Sequence, residues 1–196
     1  MDYSSQDLTT FQHQLLSALS DNSVSSDSFV ALRLDKDGWL IDLDYLKEAS
    51  VPSKIARHAH APRWMVGIAN FKGEVWSIVD MKMLAKNTPT LNPTWGWVTL
   101  LRSDVQLNKD KHVKNTSKNS PSSVVDHHLG LLWTEIVEIA PKGEYDIHPA
   151  PPERFCRAQY KDKNGVVWKE LDVAQIVGEN GLGPSFSIPS HENKQE

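Results

Sequence analysis

Leu8, Phe11, Leu15 and Leu19 recur at spacings of three and four, and Ser4 with Asp7 three residues on can cap the first turn. The spacing predicts one amphipathic helix over about residues 5–20. A serine-rich linker from Ser23 to Ser28 follows, and beyond it the period changes from 3.6 to 2. Phe29, Ala31 and Leu34 mark a short strand, Asp37-Gly38 a turn, and Trp39 to Leu43 a second strand, which together predict a hairpin. From Trp64 to Val79 the chain is apolar and β-branched on both sides of Asn70-Phe71-Lys72-Gly73, a second hairpin, with Asp80 placed to cap a helical turn. After a polar turn containing Pro89 and Pro93, Trp95, Trp97, Thr99 and Leu101 alternate as one face of a strand. Residues 103–127 are rich in Lys, Asn and Ser without sustained periodicity, which predicts a long polar insertion loop. A strand resumes from Leu129 to Ile139 and ends at Pro141, and the chain breaks again from His148 to Pro152. The resulting organisation is a helix and linker over 1–27, a strand-rich domain over 28–177, and a solvated tail over 178–196.

One internal similarity goes further than these segments. Gly73-Glu74-Val75-Trp76-Ser77-Ile78-Val79-Asp80-Met81 matches Gly165-Val166-Val167-Trp168-Lys169-Glu170-Leu171-Asp172-Val173 at Gly, Val, Trp and Asp without a gap. Both copies have one grammar: a glycine turn, a strand carrying a buried tryptophan, then an aspartate capping a helical turn. Duplication of a strand-rich unit without long helical crossovers favours an all-β architecture, either two small barrels or a two-layer sandwich. Glu170 stands where the first copy has Ile78, so the two strands are expected to bury different faces.

Composition narrows the function. The chain has 196 residues, 21 basic and 25 acidic, for a formal charge of −4. An acidic balance disfavours nucleic-acid binding, which draws on a basic face to release counterions. The single cysteine, Cys156, forms no disulfide within the chain and cannot build a thiolate zinc or iron–sulfur site. No basic start leads into an apolar run at the amino terminus, and no stretch of about 18 apolar residues occurs, so neither export nor membrane insertion is expected. A cytoplasmic protein with protein or small-molecule partners is the resulting expectation.

Catalytic signatures are missing from the sequence. No G-x-S-x-G elbow, P-loop or G-x-G-x-x-G run occurs, and Cys156 between Phe155 and Arg157 reads as an inert small hydrophobe. The acidic pairs Asp42/Asp44 and Glu135/Glu138 read as solvent faces. No catalytic residue and no cofactor is expected. Of eight histidines, His58, His60 and the adjacent His127-His128 invite a metal hypothesis, but none stands at a ligand spacing such as H-E-x-x-H, and no metal site is assigned. Among seven tryptophans, Trp76, Trp97 and Trp168 read as core, while Trp64, after Pro62-Arg63 at the start of a strand, is a candidate exposed anchor for a partner.

The run Ala61-Pro62-Arg63-Trp64-Met65-Val66-Gly67-Ile68-Ala69-Asn70-Phe71-Lys72-Gly73-Glu74-Val75-Trp76-Ser77-Ile78-Val79-Asp80-Met81 resembles the signature of CheW-like chemotaxis coupling proteins. Gly130 to Ile139 resembles the family's next conserved strand, and Leu171-Asp172 its second Leu-Asp, so the likeness covers about residues 28–177. The resemblance implies two intertwined five-stranded, SH3-like β-barrels. It also implies a non-enzymatic adaptor that links the cytoplasmic tip of a chemoreceptor to a CheA-type histidine kinase, recruited from the cytoplasm to membrane-bound receptor arrays. By the same likeness, the receptor-facing residues are Glu48, paired with Lys72 at the groove between the barrels, and the turn residues Asn70 and Gly73. Lys72 stands where the family's N-L-R-G turn has arginine, keeping the charge without the bidentate fork. Thr134 replaces the usual aspartate, and the 103–127 insertion is long. The amino-terminal helix and the histidine- and tryptophan-rich divergence resemble PilI-type adaptors of type IV pilus twitching motility.

Two other readings compete with the adaptor. One is a small-molecule or metal-binding β-barrel using His58 and His60. The other, a hybrid coupling protein with a receiver domain, needs a doubly wound α/β domain for which 196 residues leave no room.

Overall fold

The computed structural model describes residues 9–11, 13–14, 17, 27–57, 60–91, 96–102, 128–149 and 153–177. Eleven strands run in chain order: β1 Ser28–Leu34, β2 Asp37–Asp42, β3 Leu46–Ser50, β4 Met65–Phe71, β5 Glu74–Asp80, β6 Trp97–Leu101, β7 Leu129–Trp133, β8 Glu135–Pro141, β9 Tyr145–His148, β10 Cys156–Asp162 and β11 Val167–Leu171. Two short helices, α1 Met81–Lys86 and α2 Val173–Val177, follow β5 and β11. The strands form a six-stranded sheet in the order β8-β1-β2-β11-β10-β9 and a five-stranded sheet in the order β3-β6-β7-β5-β4.

The two sheets are one design used twice. Hairpin β4–β5 pairs in parallel with β7 through β5, and hairpin β10–β11 pairs in parallel with β2 through β11. β7 then pairs with β6 and β6 with β3, as β2 pairs with β1 and β1 with β8. The bulges coincide as well. Val66 in β4 corresponds to Arg157 in β10, and Lys47 in β3 to Val137 in β8, each the extra residue between shifted ladder partners. Strand β9 has no counterpart among the five, so one sheet has six strands. The five-stranded unit, β3 to β7, sits inside the chain of the other, whose strands come from both sides of it; the units are intertwined as expected.

The segment after β3 runs to β4, the opposite edge strand of the five-stranded sheet. Ala56 and Ile68 exchange backbone hydrogen bonds, N–H to O, at 2.8 Å in both directions, so the chain leaving one edge strand returns to the other. Gly67 permits this approach: a Cβ there would lie 2.3 Å from the Ala56 carbonyl oxygen.

Each unit has a small core of its own around its tryptophan. Trp76 packs with Ala69, Phe71, Ile78, Val98, Leu100 and Leu132, and Trp168 with Phe29, Ala31, Leu40, Ala140 and Tyr145. A larger core joins the two units, including Leu32, Trp39 and Leu171 from one and Val79, Trp97, Leu131 and Trp133 from the other. The expected equivalence of Trp76 and Trp168 holds, with exposures of 1% and 3%. Asp80 caps α1 through its Oδ1, which accepts from the Lys82 and Met83 N–H groups, as the sequence predicts.

Several readings are corrected. The first hairpin turns at Asp35-Lys36, with Asp35 at φ 59°, while Asp37 and Gly38 already belong to β2. The stretch Leu129 to Ile139 is two strands in different sheets, broken at Thr134, whose N–H donates to the Arg33 carbonyl and whose hydroxyl accepts from the Asp35 N–H at 3.0 Å. β6 is buried on both faces, Thr99 receiving a hydrogen bond from the Trp133 indole at 2.9 Å. β9 was not legible as a strand. Glu170 is buried at 8% on the face its counterpart Ile78 also buries, because the Tyr160 hydroxyl donates to it at 3.0 Å. Of the amino-terminal helix, Thr9, Thr10, Phe11, His13, Gln14 and Ser17 are described and helical, and Phe11 meets Trp97 edge-on at 5.8 Å between ring centroids. The rest of that helix, the 103–127 insertion and the 178–196 tail lie outside the described residues.

Candidate protein-docking site

The β4–β5 hairpin closes with a two-residue turn, Lys72-Gly73, at φ 53° and 90°. Such a turn matches the twist of the strands and needs two left-handed residues, which explains the glycine. No heavy atom lies within 4 Å of a Cβ built on Gly73, so conformation rather than space selects it. The Asn70 side-chain oxygen accepts from the Gly73 N–H at 3.0 Å and braces the turn.

β3, the edge strand opposite β4, supplies the other half of the site. The Lys72 ammonium lies 2.8 Å from Glu48 Oε2, and the Lys47 ammonium 2.6 Å from Glu74 Oε2. Lys47 and Glu48 point to the same edge because Lys47 is the bulge residue of β3. The result is two ion pairs of opposite sense, side by side, with Lys47 also 5.2 Å above the Trp76 ring. The hydrogen bond from Lys47 holds the Glu74 carboxyl below the usual carboxylate range. The Lys72 side chain is 74% exposed while Glu48 is 20% exposed, so the lysine faces solvent over a half-buried partner. Exposed ion pairs contribute about 0–1 kcal/mol to stability, which leaves this constellation free to serve as a surface.

Glu48, Lys72, Asn70 and Gly73 are therefore brought together, all by the five-stranded unit, with no contribution from the six-stranded one. Lys47 and Glu74 were not singled out from the sequence; the alternation of Lys47-Glu48 opposite Lys72 and Glu74 is the signal that could have found them. Trp64 is partly buried against the shared core, and its carbonyl accepts from the Asp80 N–H at 2.7 Å.

The other candidates separate from this site. His58 and His127 lie outside the described residues. His128 packs edge-on against Trp76 at 4.9 Å, and no group of three His, Cys, Asp or Glu side chains suited to a metal occurs among the described residues. Burial raises the Cys156 thiol pKa, which disfavours the reactive thiolate, and its Sγ lies 3.2 Å from the Ala158 carbonyl. Asp42 is more than a solvent face: it caps a 3-10 turn at Leu43–Tyr45 and meets the Lys142 ammonium at 2.6 Å. No helix among the described residues is long and apolar enough to cross a membrane.

Comparison with known proteins bears on the family and the fold. Residues 28–180 match the model of the CheW-like domain. Among solved structures, the scaffolding protein TtCheW of Thermoanaerobacter tengcongensis matches with a TM-score of 0.56 at 12% identity, over 76% of this chain and 90% of that one, a likeness of fold. No curated protein sequence matches the chain. With its duplicated strand order and a family match spanning both units, the chain belongs to the CheW-like family of scaffolding and coupling proteins.

Proposed function

We propose that this protein is a non-enzymatic chemosensory adaptor, recruited from the cytoplasm to receptor arrays, that couples a chemoreceptor's cytoplasmic tip to a CheA-type histidine kinase. The observation that carries the reading is the solvent-facing Lys72 braced by Glu48 beside the reciprocal Lys47–Glu74 pair. A surface of paired opposite charges contributes little to folding and much to partner choice, since complementary charges steer and register a docking protein. Lys72, Glu48, Asn70 and Gly73 form the receptor-facing contact, with Lys72 a point charge in place of a forked guanidinium. The pathway is type IV pilus twitching motility, in keeping with the PilI-like character of the sequence.

Purified protein mixed with the kinases and receptor-tip fragments encoded in its own genome tests this. Retention of one kinase and one receptor, with no substrate turnover, is expected. Binding to neither overturns the adaptor reading, and retention only of flagellar-type partners overturns the pilus assignment.

A further inference from the structure

The two units place a tryptophan at the same position and treat its indole N–H differently. In the six-stranded unit Trp168 Nε1 donates to Asp162 Oδ2 at 3.1 Å. Asp162 stands on β10 where the five-stranded unit has Phe71 on β4, so the second tryptophan lacks that acceptor. Trp76 Nε1 is buried, in a residue only 1% exposed, and has no hydrogen-bond partner among the described residues. A buried donor left unpaired gives up its bonds to water without replacing them, and native structures rarely keep one without a reason.

An acid stands beside it nonetheless. Glu74 precedes Trp76 by two residues on β5 and shares its side of the sheet, at the position where the other unit has Val166. Its Oε2 is taken by the Lys47 ammonium at 2.6 Å, and the same ammonium sits 5.2 Å from the centre of the Trp76 ring. One cation thus engages both the acid and the ring whose N–H lacks an acceptor. The hydrogen bond from Lys47 chiefly, with smaller effects from His128 and the Trp76 indole, holds the Glu74 carboxyl below the usual range against the desolvation that opposes it. His128 meets the same ring edge-on at 4.9 Å.

Two donors therefore compete for one carboxylate. Lys47 and Glu74 side chains are each 45% exposed, an ion pair of the kind that contributes little in water. The indole bond, by contrast, is an unmade bond in a buried place, where leaving it unmade is costly. A group that takes Lys47 away decides between the two arrangements, since it binds one of them better than the other. Such a group has to be an anion, because it replaces a carboxylate on an ammonium.

We propose that Glu74 is a two-position switch: its carboxylate is held by Lys47 in the free protein and passes to the Trp76 indole N–H when a carboxylate of a docked partner takes Lys47. Docking at the surface is thereby felt at the tryptophan around which the five-stranded unit builds its own core. The inference rests on the adaptor reading for the identity of the partner, the receptor tip, and on the geometry of Lys47, Glu74 and Trp76 for the exchange itself.

The experiment reads the Trp76 indole N–H by proton–nitrogen correlation NMR of the full chain, its signal identified by its loss in Trp76→Phe. Lys47→Met frees Glu74, so the indole proton is expected to move downfield, as a proton entering a hydrogen bond does, and Lys47→Arg, which keeps the pair, should leave it in place. Lys47→Met made in the Glu74→Val background should produce no such shift, which separates the new bond from the mere loss of a cation over the ring. Adding the receptor-tip fragment to the wild type should move the signal in the same direction as Lys47→Met does. An unmoved signal in folded Lys47→Met, an equal shift in the Glu74→Val background, or a receptor tip that binds the wild type without moving the signal each overturns the proposal. Failure of the tip to bind the wild type would instead overturn the adaptor reading, and the Lys47→Met arm, which needs no partner, would still decide whether Glu74 changes places.

Discussion

Gly38 lies directly opposite Trp168 in the parallel pairing of β2 with β11, and a Cβ on Gly38 would sit 2.6 Å from the indole Cε3 and 2.9 Å from Cδ2. The contact joins an early strand to the last one. It also explains why this glycine stands inside a strand rather than in a turn: the ring lies over the backbone, and any side chain would have to displace it.

Gly38→Ala should therefore destabilise the protein by about 1–3 kcal/mol, the usual cost of overpacking a close contact around a buried ring. Gly73→Ala offers a comparison, since it meets no atom and is strained only by its positive φ. Chemical denaturation of both variants, with Trp fluorescence as the readout, checks the prediction; an unchanged midpoint for Gly38→Ala would refute it.

Trp76 and Trp168 occupy equivalent places, each the centre of its unit's small core. Trp76→Ala and Trp168→Ala should each cost about 3–5 kcal/mol. Near-equal losses in thermal or urea unfolding are expected, and a loss under about 1 kcal/mol for either would mean that its unit is not organised around it.

Lys72→Glu should leave stability within about 1 kcal/mol of wild type while weakening receptor-tip binding, because the lysine is exposed and its ion pair contributes little to folding. Adding Glu48→Lys restores opposite charges. Partial recovery of binding in the double variant is expected if the two residues orient one another, and none if each touches the receptor separately. Unchanged binding in folded Lys72→Glu removes the site.

Burial raises the Glu170 pKa, opposed by the Tyr160 hydrogen bond and by Arg157. The folded state then binds the proton more tightly than the unfolded chain, so this group's contribution is greatest below the ordinary value of 4.5 and is lost as pH rises through the raised folded value. Glu170→Gln should flatten that part of the stability–pH curve and gain on wild type toward neutral pH. Unfolding midpoints measured across the acidic to neutral range, identical in slope for both proteins, would contradict the assignment.

β6 and β7 are antiparallel neighbours, with Leu100 opposite Gly130 and Trp97 opposite Trp133. The ends of the 103–127 segment are thus brought close by the ladder itself, and loop closure depends only weakly on length. Replacing residues 103–127 with a short glycine turn should shift stability by no more than about 1 kcal/mol. Loss of cooperative unfolding would show that the segment belongs to the core.

The hairpin at Lys72-Gly73, the cap at Asp80, the duplicated Trp strands and the family signature were legible in the amino-acid order because each is local: turn chemistry, a period of two and a capping carboxylate act within a few residues. Glu48 and Lys72 were legible only through the family's spacing, and the fold set them 2.8 Å apart. Other features have no local signature. Leu129 to Ile139 reads as one strand because Thr134 ends the ladder by bonding to the distant Arg33 carbonyl and Asp35 N–H. Gly38 reads as a turn residue because Trp168 lies far along the chain, and the burial of Glu170 was not legible because Tyr160, whose hydroxyl donates to it, is presented by the neighbouring strand. The sequence by itself determined several of the strands, the tight turn at Lys72-Gly73 and that the chain is built twice. Only the tertiary structure decided which sheet each strand joins, which glycine lies under a ring and which charge is buried, since strand partners are chosen by contacts across the chain, whereas turns and caps are chosen by neighbours within it.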